Sequence, residues 1–144
     1  MRLTTLSRYG VRALFDIAYC GQGNMVRASQ VSARQQISLN YIGQIFLKLK
    51  RAGLITSHRG RSGGYTLAYP PKDITLLMIV RAVEGPIRLV DCIEGVTGCE
   101  MAVKCVTQDI WKEAGEIIEG FFGKITIQDL IDSAKKRGVS FETT

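Results

Sequence analysis

The chain has 144 residues, 46% of them hydrophobic, and a formal charge of +6 with a pI near 9.3. That length buries one core and is short for two ordinary domains. No apolar run reaches the ~20 residues of a membrane span, and the start MRLTTLSRYG has neither the apolar stretch nor the cleavage site of a secretory signal. A cytoplasmic protein with a polyanionic partner is therefore expected, and in a reducing cytosol its 4 cysteines read as metal ligands or redox thiols rather than as a disulfide framework.

From Thr5 to Tyr19, Leu6, Val11, Leu14, Phe15, Ala18 and Tyr19 recur near helical spacing, and Gly21 and Gly23 end this first helix. ASQVSARQQ reads as a short second helix with a weak cap signal at Ser29 and Ser32. Ser38 then caps a third helix in which Ile42, Ile45, Phe46 and Leu49 form one apolar stripe, stopped by Gly53. Two short helices, the second amphipathic and basic, make a helix-turn-helix. LITSHRGRSGGYTLAYP follows, alternating apolar and polar residues on both sides of a glycine-rich tip, which is the pattern of two strands around a basic wing.

Residues 74–83, ITLLMIVRAV, form a fourth helix broken by Gly85 and Pro86. The periodic residues Ile110, Ala114, Ile117, Ile118 and Phe121 mark a long amphipathic helix over about 106–122, and Thr126 caps a last short helix before a polar tail. The fold class expected is mainly α with a small β-wing. It divides into a winged helix-turn-helix over 1–85, a cysteine-bearing loop over 86–105, and a dimerisation helix plus C-terminal helix over 106–144.

A recognition helix puts polar side chains of its N-terminal half against base edges while basic groups hold phosphates. Ser38, Asn40, Tyr41 and Gln44 stand in the first role, and Lys48 and Arg51, with Lys50, in the second. Asn40 and Gln44 carry amides able to pair bidentately with adenine. In the wing, His58, Arg59 and Arg61 flank glycines that allow close approach to the duplex, which suits minor-groove or phosphate contact. Double-stranded DNA is the expected partner. Because one small domain touches few bases, two copies reading two half-sites are expected, with the long helix and its Trp111, Ile118, Phe121 and Phe122 as the seam.

Cys92, Cys99 and Cys105 lie in DCIEGVTGCEMAVKCVTQ, where Gly95 and Gly98 let the chain bend. The gaps are wider than the close thiol pairs of structural zinc sites and suit the larger perimeter of an iron–sulfur cluster. The counter-reading is three free thiols on a surface loop. Only three cysteines are at hand, and Cys20 reads as a small core residue. Thr107, Gln108, Asp109, a carboxylate from elsewhere or from a partner chain, or a small exogenous ligand stays open as the fourth ligand.

The start MRLTTLSRYGVRAL, the helix ISLNYIGQIFLKLKRAGLI, the wing RGRSGGYTLA and the later AVEGP together resemble the Rrf family of bacterial winged-helix regulators, from Met1 to about Ala134. The resemblance implies a homodimer on a palindromic operator, with the long helices crossed at the seam. It also implies that Cys92, Cys99 and Cys105 hold an iron–sulfur cluster, as in the cluster-binding branch. The biogenesis regulators of that branch usually space the first two cysteines one residue closer and carry a histidine where this chain has Gln108. In some nitric-oxide-sensing relatives an aspartate near the N-terminus of the partner subunit completes the cluster, a region where this chain has no carboxylate before Asp16. Either cluster size fits the open fourth position, with 2Fe–2S preferred over 4Fe–4S.

The function expected is a DNA-binding transcription regulator, not an enzyme, whose operator affinity is set by a cluster sensing iron–sulfur status, redox or nitric oxide. Two alternatives remain: a cluster-free regulator acting through thiol oxidation or a partner protein, and a small iron–sulfur redox protein. The latter fares worst, because no acid–base constellation accompanies the cysteines.

Overall fold

A computed structural model describes residues 3–90, 100, 101 and 104–141. Helices α1 (Thr5–Gly21), α2 (Ala28–Gln35) and α3 (Leu39–Arg51) are followed by strands β1 (Ile55–His58) and β2 (Gly64–Leu67). Then come a single 3-10 turn (Pro71–Asp73) and helices α4 (Leu76–Glu84), α5 (Gln108–Lys124) and α6 (Ile127–Lys136). This is the expected mainly helical fold with a two-stranded wing, and the boundaries of α4 and α5 fall within about two residues of those read from periodicity.

Local chemistry sets the helix ends. The Thr4 hydroxyl accepts from Leu6 N at 3.2 Å, that of Ser38 from Tyr41 N at 3.2 Å, and that of Thr75 from Met78 N at 3.2 Å. At α6, Thr126 and Asp129 cap each other reciprocally, N to Oδ2 at 2.9 Å and N to Oγ1 at 3.1 Å. The expectation for α2 is corrected: Ser29 lies inside the helix, and the Gln30 side chain instead accepts from Arg27 N at 2.9 Å. At the other end of α1, Gln22 takes the left-handed conformation, φ 48°, while Gly21 is still helical.

One core joins these elements. Ala13, Leu14 and Ile17 of α1 meet Val31, Ile42, Ile45, Phe46 and Leu49 of the helix-turn-helix, Ile55 of the wing, and Ile79 and Val83 of α4. Each large apolar side chain fully removed from water there contributes about 1.5–3 kcal/mol. The apolar stripe of α3 thus ends wholly inside.

The two C-terminal helices are placed differently. A bridge between Thr75 and Thr126, with Leu76 N to Ile125 O and Ile127 N to Ile74 O each 2.9 Å, splices the start of α6 onto the start of α4. Ile127 and Ile131 enter the core of the first three helices. Helix α5 instead lies on α4, tied by the Arg81–Glu119 ion pair at 2.7 Å, and its only buried residue is Gly115. The residues after α6 return to α1: Tyr19 donates to Val139 O at 2.5 Å, and Phe141 meets the rings of Phe15 and Tyr19. The tail read as polar from composition is therefore partly apolar packing.

Candidate nucleic-acid interface and cysteine segment

What fixes the helix-turn-helix is a buried polar cluster. Asp16, fully buried on α1, accepts from Arg34 Nη2 at 2.6 Å, from Arg34 Nε at 3.1 and 3.2 Å, and from Gln35 Nε2 at 2.9 Å. The bidentate fork satisfies a carboxylate that burial would otherwise penalise, and it orients α2 against α1. The bond to Asp16 holds the Arg34 guanidinium above its ordinary range against desolvation, which pulls the other way. Arg12 adds bonds from α1 to the Gln35 side chain, at 3.3 Å, and to its carbonyl at the end of α2. Gln36 then turns left-handed, φ 55°, and Ser32 Oγ donates to Ile37 O at 2.5 Å across the turn into α3.

With the apolar side of α3 inward, Asn40, Gln44, Lys50 and Arg51 are exposed. Four of the residues assigned to DNA have other partners, three of them on α3 or at its cap. Tyr41 is half-buried, its ring edge-on to Tyr9 with centroids 5.5 Å apart, and the Arg12 guanidinium stands 5.3 Å from the Tyr9 centroid. Lys48 Nζ donates to Val83 O at 3.3 Å, one of the carbonyls that α4 leaves open at its C-terminus. Ser38 remains exposed, with its hydroxyl committed to the cap.

The wing pairs Ile55 with Leu67 through to His58 with Gly64, antiparallel, and Val26 bridges the other side of β2 through two bonds to Tyr65 of 2.9 and 2.7 Å. A side chain at Gly64 would stand 2.7 Å from Val26 O, and one at Gly63 would stand 2.3 Å from His58 O, so the tight tip requires glycine at both. Arg59 and Arg61 are exposed at the tip, and Arg27 donates to Arg61 O, fastening the tip to the entry of α2. His58 reaches Thr66 Oγ1 through Nε2 at 2.9 Å, a cross-strand contact that occupies one ring nitrogen. Asn40, Gln44, Lys50 and Arg51 on α3 and Arg59 and Arg61 on the wing are thus the exposed polar set, side chains without a described tie of the kind that Ser38, Lys48 and His58 have.

Sequence reasoning passed over the Asp16–Arg34–Gln35 cluster. Its signal was present: an aspartate between Ala13, Leu14 and Ile17, on the face that must go inside, requires a cationic partner.

Of the three cysteines assigned to a cluster, Cys92 and Cys99 lie outside the described residues. Cys105 is half-buried just ahead of α5, its Sγ 3.2 Å from Thr107 Oγ1. Hydrogen bonds from the Thr107 side chain and backbone, with a smaller one from Gln108 N, lower its thiol from the usual cysteine range. The thiolate is the metal-ligating form, so the donor chemistry at Cys105 itself suits a soft metal or an iron–sulfur cluster. Cys20 differs: burial first, then the charge of Asp16, raises its thiol, in keeping with a packing role, although it is only partly buried. Among the described residues no group of three or more His, Cys, Asp or Glu is arranged for a metal, and no helix is long and apolar enough to cross a membrane.

Comparisons with known proteins agree with this architecture. The family described as Rrf2, iron-dependent transcriptional regulator, matches residues 3–133. The transcriptional regulator IscR of Photobacterium profundum is 38% identical over 131 residues, covering 91% of this chain and 76% of its own. The solved structure of T. potens IscR superposes with a TM-score of 0.78 at 30% identity, covering 97% of this chain and 93% of that one. CymR, the global cysteine regulator of B. subtilis, does so with a TM-score of 0.75 at 27% identity, covering 92% and 98%. A winged helix-turn-helix with this family match over most of its length is a transcriptional regulator, and the chain belongs to the Rrf2 family.

Proposed function

We propose that this protein is a cytoplasmic, homodimeric regulator that binds a palindromic DNA operator and sets its affinity by an iron–sulfur cluster held by Cys92, Cys99 and Cys105. The observation that carries the proposal is the position of Cys105, which stands at the entry to α5 with its Sγ 3.2 Å from Thr107 Oγ1. That helix carries Ile110, Ile117 and Phe121 exposed along one side, and a second copy would cover them. Similarity to a family described as iron-dependent supports the metal. When bound, the cluster supplies a redox- and ligand-responsive crosslink within the segment. Cys105 ties that segment to α5, while Glu119 of α5 receives Arg81 and Ile87 N at the end of α4. Cluster assembly there biases the relative setting of two recognition helices, and a tenfold change in affinity needs only about 1.4 kcal/mol.

The test is anaerobic purification, with the visible spectrum recorded beside iron and sulfide per chain. Coloured protein with stoichiometric iron and sulfide is expected, two of each for 2Fe–2S, and loss of colour in Cys92→Ala, Cys99→Ala and Cys105→Ala with the oligomer retained. Colourless protein that resists reconstitution removes the cluster. The second reading, a thiol-responsive regulator of the same family, then takes its place, favoured by the likeness to CymR and by the same lowered thiol.

A further inference from the structure

Helix α3 carries a feature that the polar set leaves unexplained. Leu39 and Leu47 are 54% and 49% exposed on a helix whose other large apolar side chains are at most 1% exposed, Tyr41 excepted. They stand eight residues apart, with Gly43 midway, so the three fall along one line of the helix. A side chain at Gly43 would meet nothing within 4 Å, so the line is an open notch between two apolar shoulders. Asn40 and Gln44 form the adjacent line, each one residue further along. Single exposed leucines carry no message, but two that bracket a bare stretch of backbone beside two amides form a patterned surface.

We propose that these two lines read the same A·T base pairs from the major groove, so that the operator half-site contains A·T pairs contacted through thymine methyl groups. The proposal rests on the DNA-binding reading above. In the major groove an A·T pair presents adenine N7 and N6 on one side and thymine O4 and a C5-methyl on the other. An amide pairs with the adenine edge, and a leucine meets the methyl. No G·C pair offers that combination. The two shoulders lie about 12 Å apart along the helix, or about three to four base pairs of duplex, and the notch at Gly43 lets backbone approach the groove floor between them. Leu39 and Leu47 are thereby specificity-determining residues.

The experiment starts by selecting bound duplexes from a random pool with the full-length protein. Each half-site thymine of the selected duplex is then replaced by uracil, which removes only the methyl group. At fixed salt, at least one replacement should weaken binding about three- to tenfold. Leu47→Ala or Leu39→Ala should show the same loss on thymine DNA and no further loss on the uracil duplex. Uracil-insensitive binding, a selected half-site of G·C pairs alone, or a leucine variant that changes the oligomeric state rather than thymine discrimination overturns the proposal. Recovery of no DNA at all would instead remove the regulator reading beneath it, a result distinct from bound DNA that ignores the methyl.

Discussion

Helices α3 and α5 carry the same kind of sequence signal, apolar residues recurring at three and four, and the fold uses them in opposite ways. In α3 the stripe Ile42, Ile45, Phe46 and Leu49 vanishes into the core, and the polar side faces outward. In α5 only Gly115 is buried, and Ile110, Ile117 and Phe121 stand 58%, 65% and 60% exposed. Amphipathicity fixes that a helix has an apolar side and is silent on what covers it. For α3 the cover comes from α1, α2, α4 and β1 of the same chain. For α5, among the described residues, the cover comes mainly from α4 and the residues just after it, through Arg81 and Ile87.

The largest effect should come from the helix that is covered. Phe46→Ala removes a ring packed against Tyr65 of the wing at 4.6 Å between centroids and should cost about 3–5 kcal/mol, read by denaturant unfolding. Asp16→Ala should cost a similar amount, about 3–5 kcal/mol, by leaving a buried guanidinium unpaired. If α3 were seated only by its own helical propensity, neither change would register on this scale.

On α5 the prediction turns to assembly. Ile117→Ser with Phe121→Ser should leave the unfolding free energy of the isolated chain within about 1 kcal/mol, because both side chains are already in water there. The same pair should shift the sedimentation of the native protein from dimer to monomer. A variant that stays dimeric would move the seam elsewhere and leave the exposed stripe without an assigned role.

How legible this was in the residues follows the same division. Helices α1, α3 and α6 were readable because capping and periodicity are local, and the wing was readable because its glycines have no substitute beside the backbone of His58 and Val26. The splice of α6 onto α4 through Thr75 and Thr126 was not readable, since it joins segments about fifty residues apart by main-chain bonds that any residue can make. The site was half legible. Residue type and spacing pointed to α3 and the wing, but not to Lys48 facing Val83, to Tyr41 against Tyr9, or to His58 paired with Thr66. In each case the partner lies on another element or another strand, outside the reach of a helical wheel.

A smaller effect should appear with acid. Glu84, at the end of α4, accepts from Thr4 N at 3.0 Å and Ser7 N at 3.2 Å, closing the first turn of α1. Burial pushes its carboxyl up, but the bonds from Thr4 and Ser7 outweigh this and hold it below the usual glutamate range. A depressed carboxylate contributes stability above its unfolded pKa, about 4.3, and loses it as the pH falls through the lower folded value. Glu84→Gln should therefore lower stability modestly near neutrality, where the charge-assisted bonds are lost, and flatten the decline below about pH 4.3, where the variant and the parent converge, measured by thermal unfolding across pH.

The finest distinction separates the two flanks of α3 itself. Both Arg51 and Lys48 are exposed, but Lys48 also donates to the Val83 carbonyl at 3.3 Å. A phosphate contact releases counterions, so its loss weakens binding across sequences and lowers the slope of log affinity against log salt by about one. Arg51→Ala should show that change. Lys48→Ala should leave the slope nearly as it was and cost less than about 1.5 kcal/mol of stability, the share of one hydrogen bond closing the end of α4. If Lys48→Ala lowers the slope as much as Arg51→Ala does, the lysine leaves Val83 when DNA arrives. The end of α4 would then be released on binding, and the link from the cysteine segment to the recognition helix would run through that exchange.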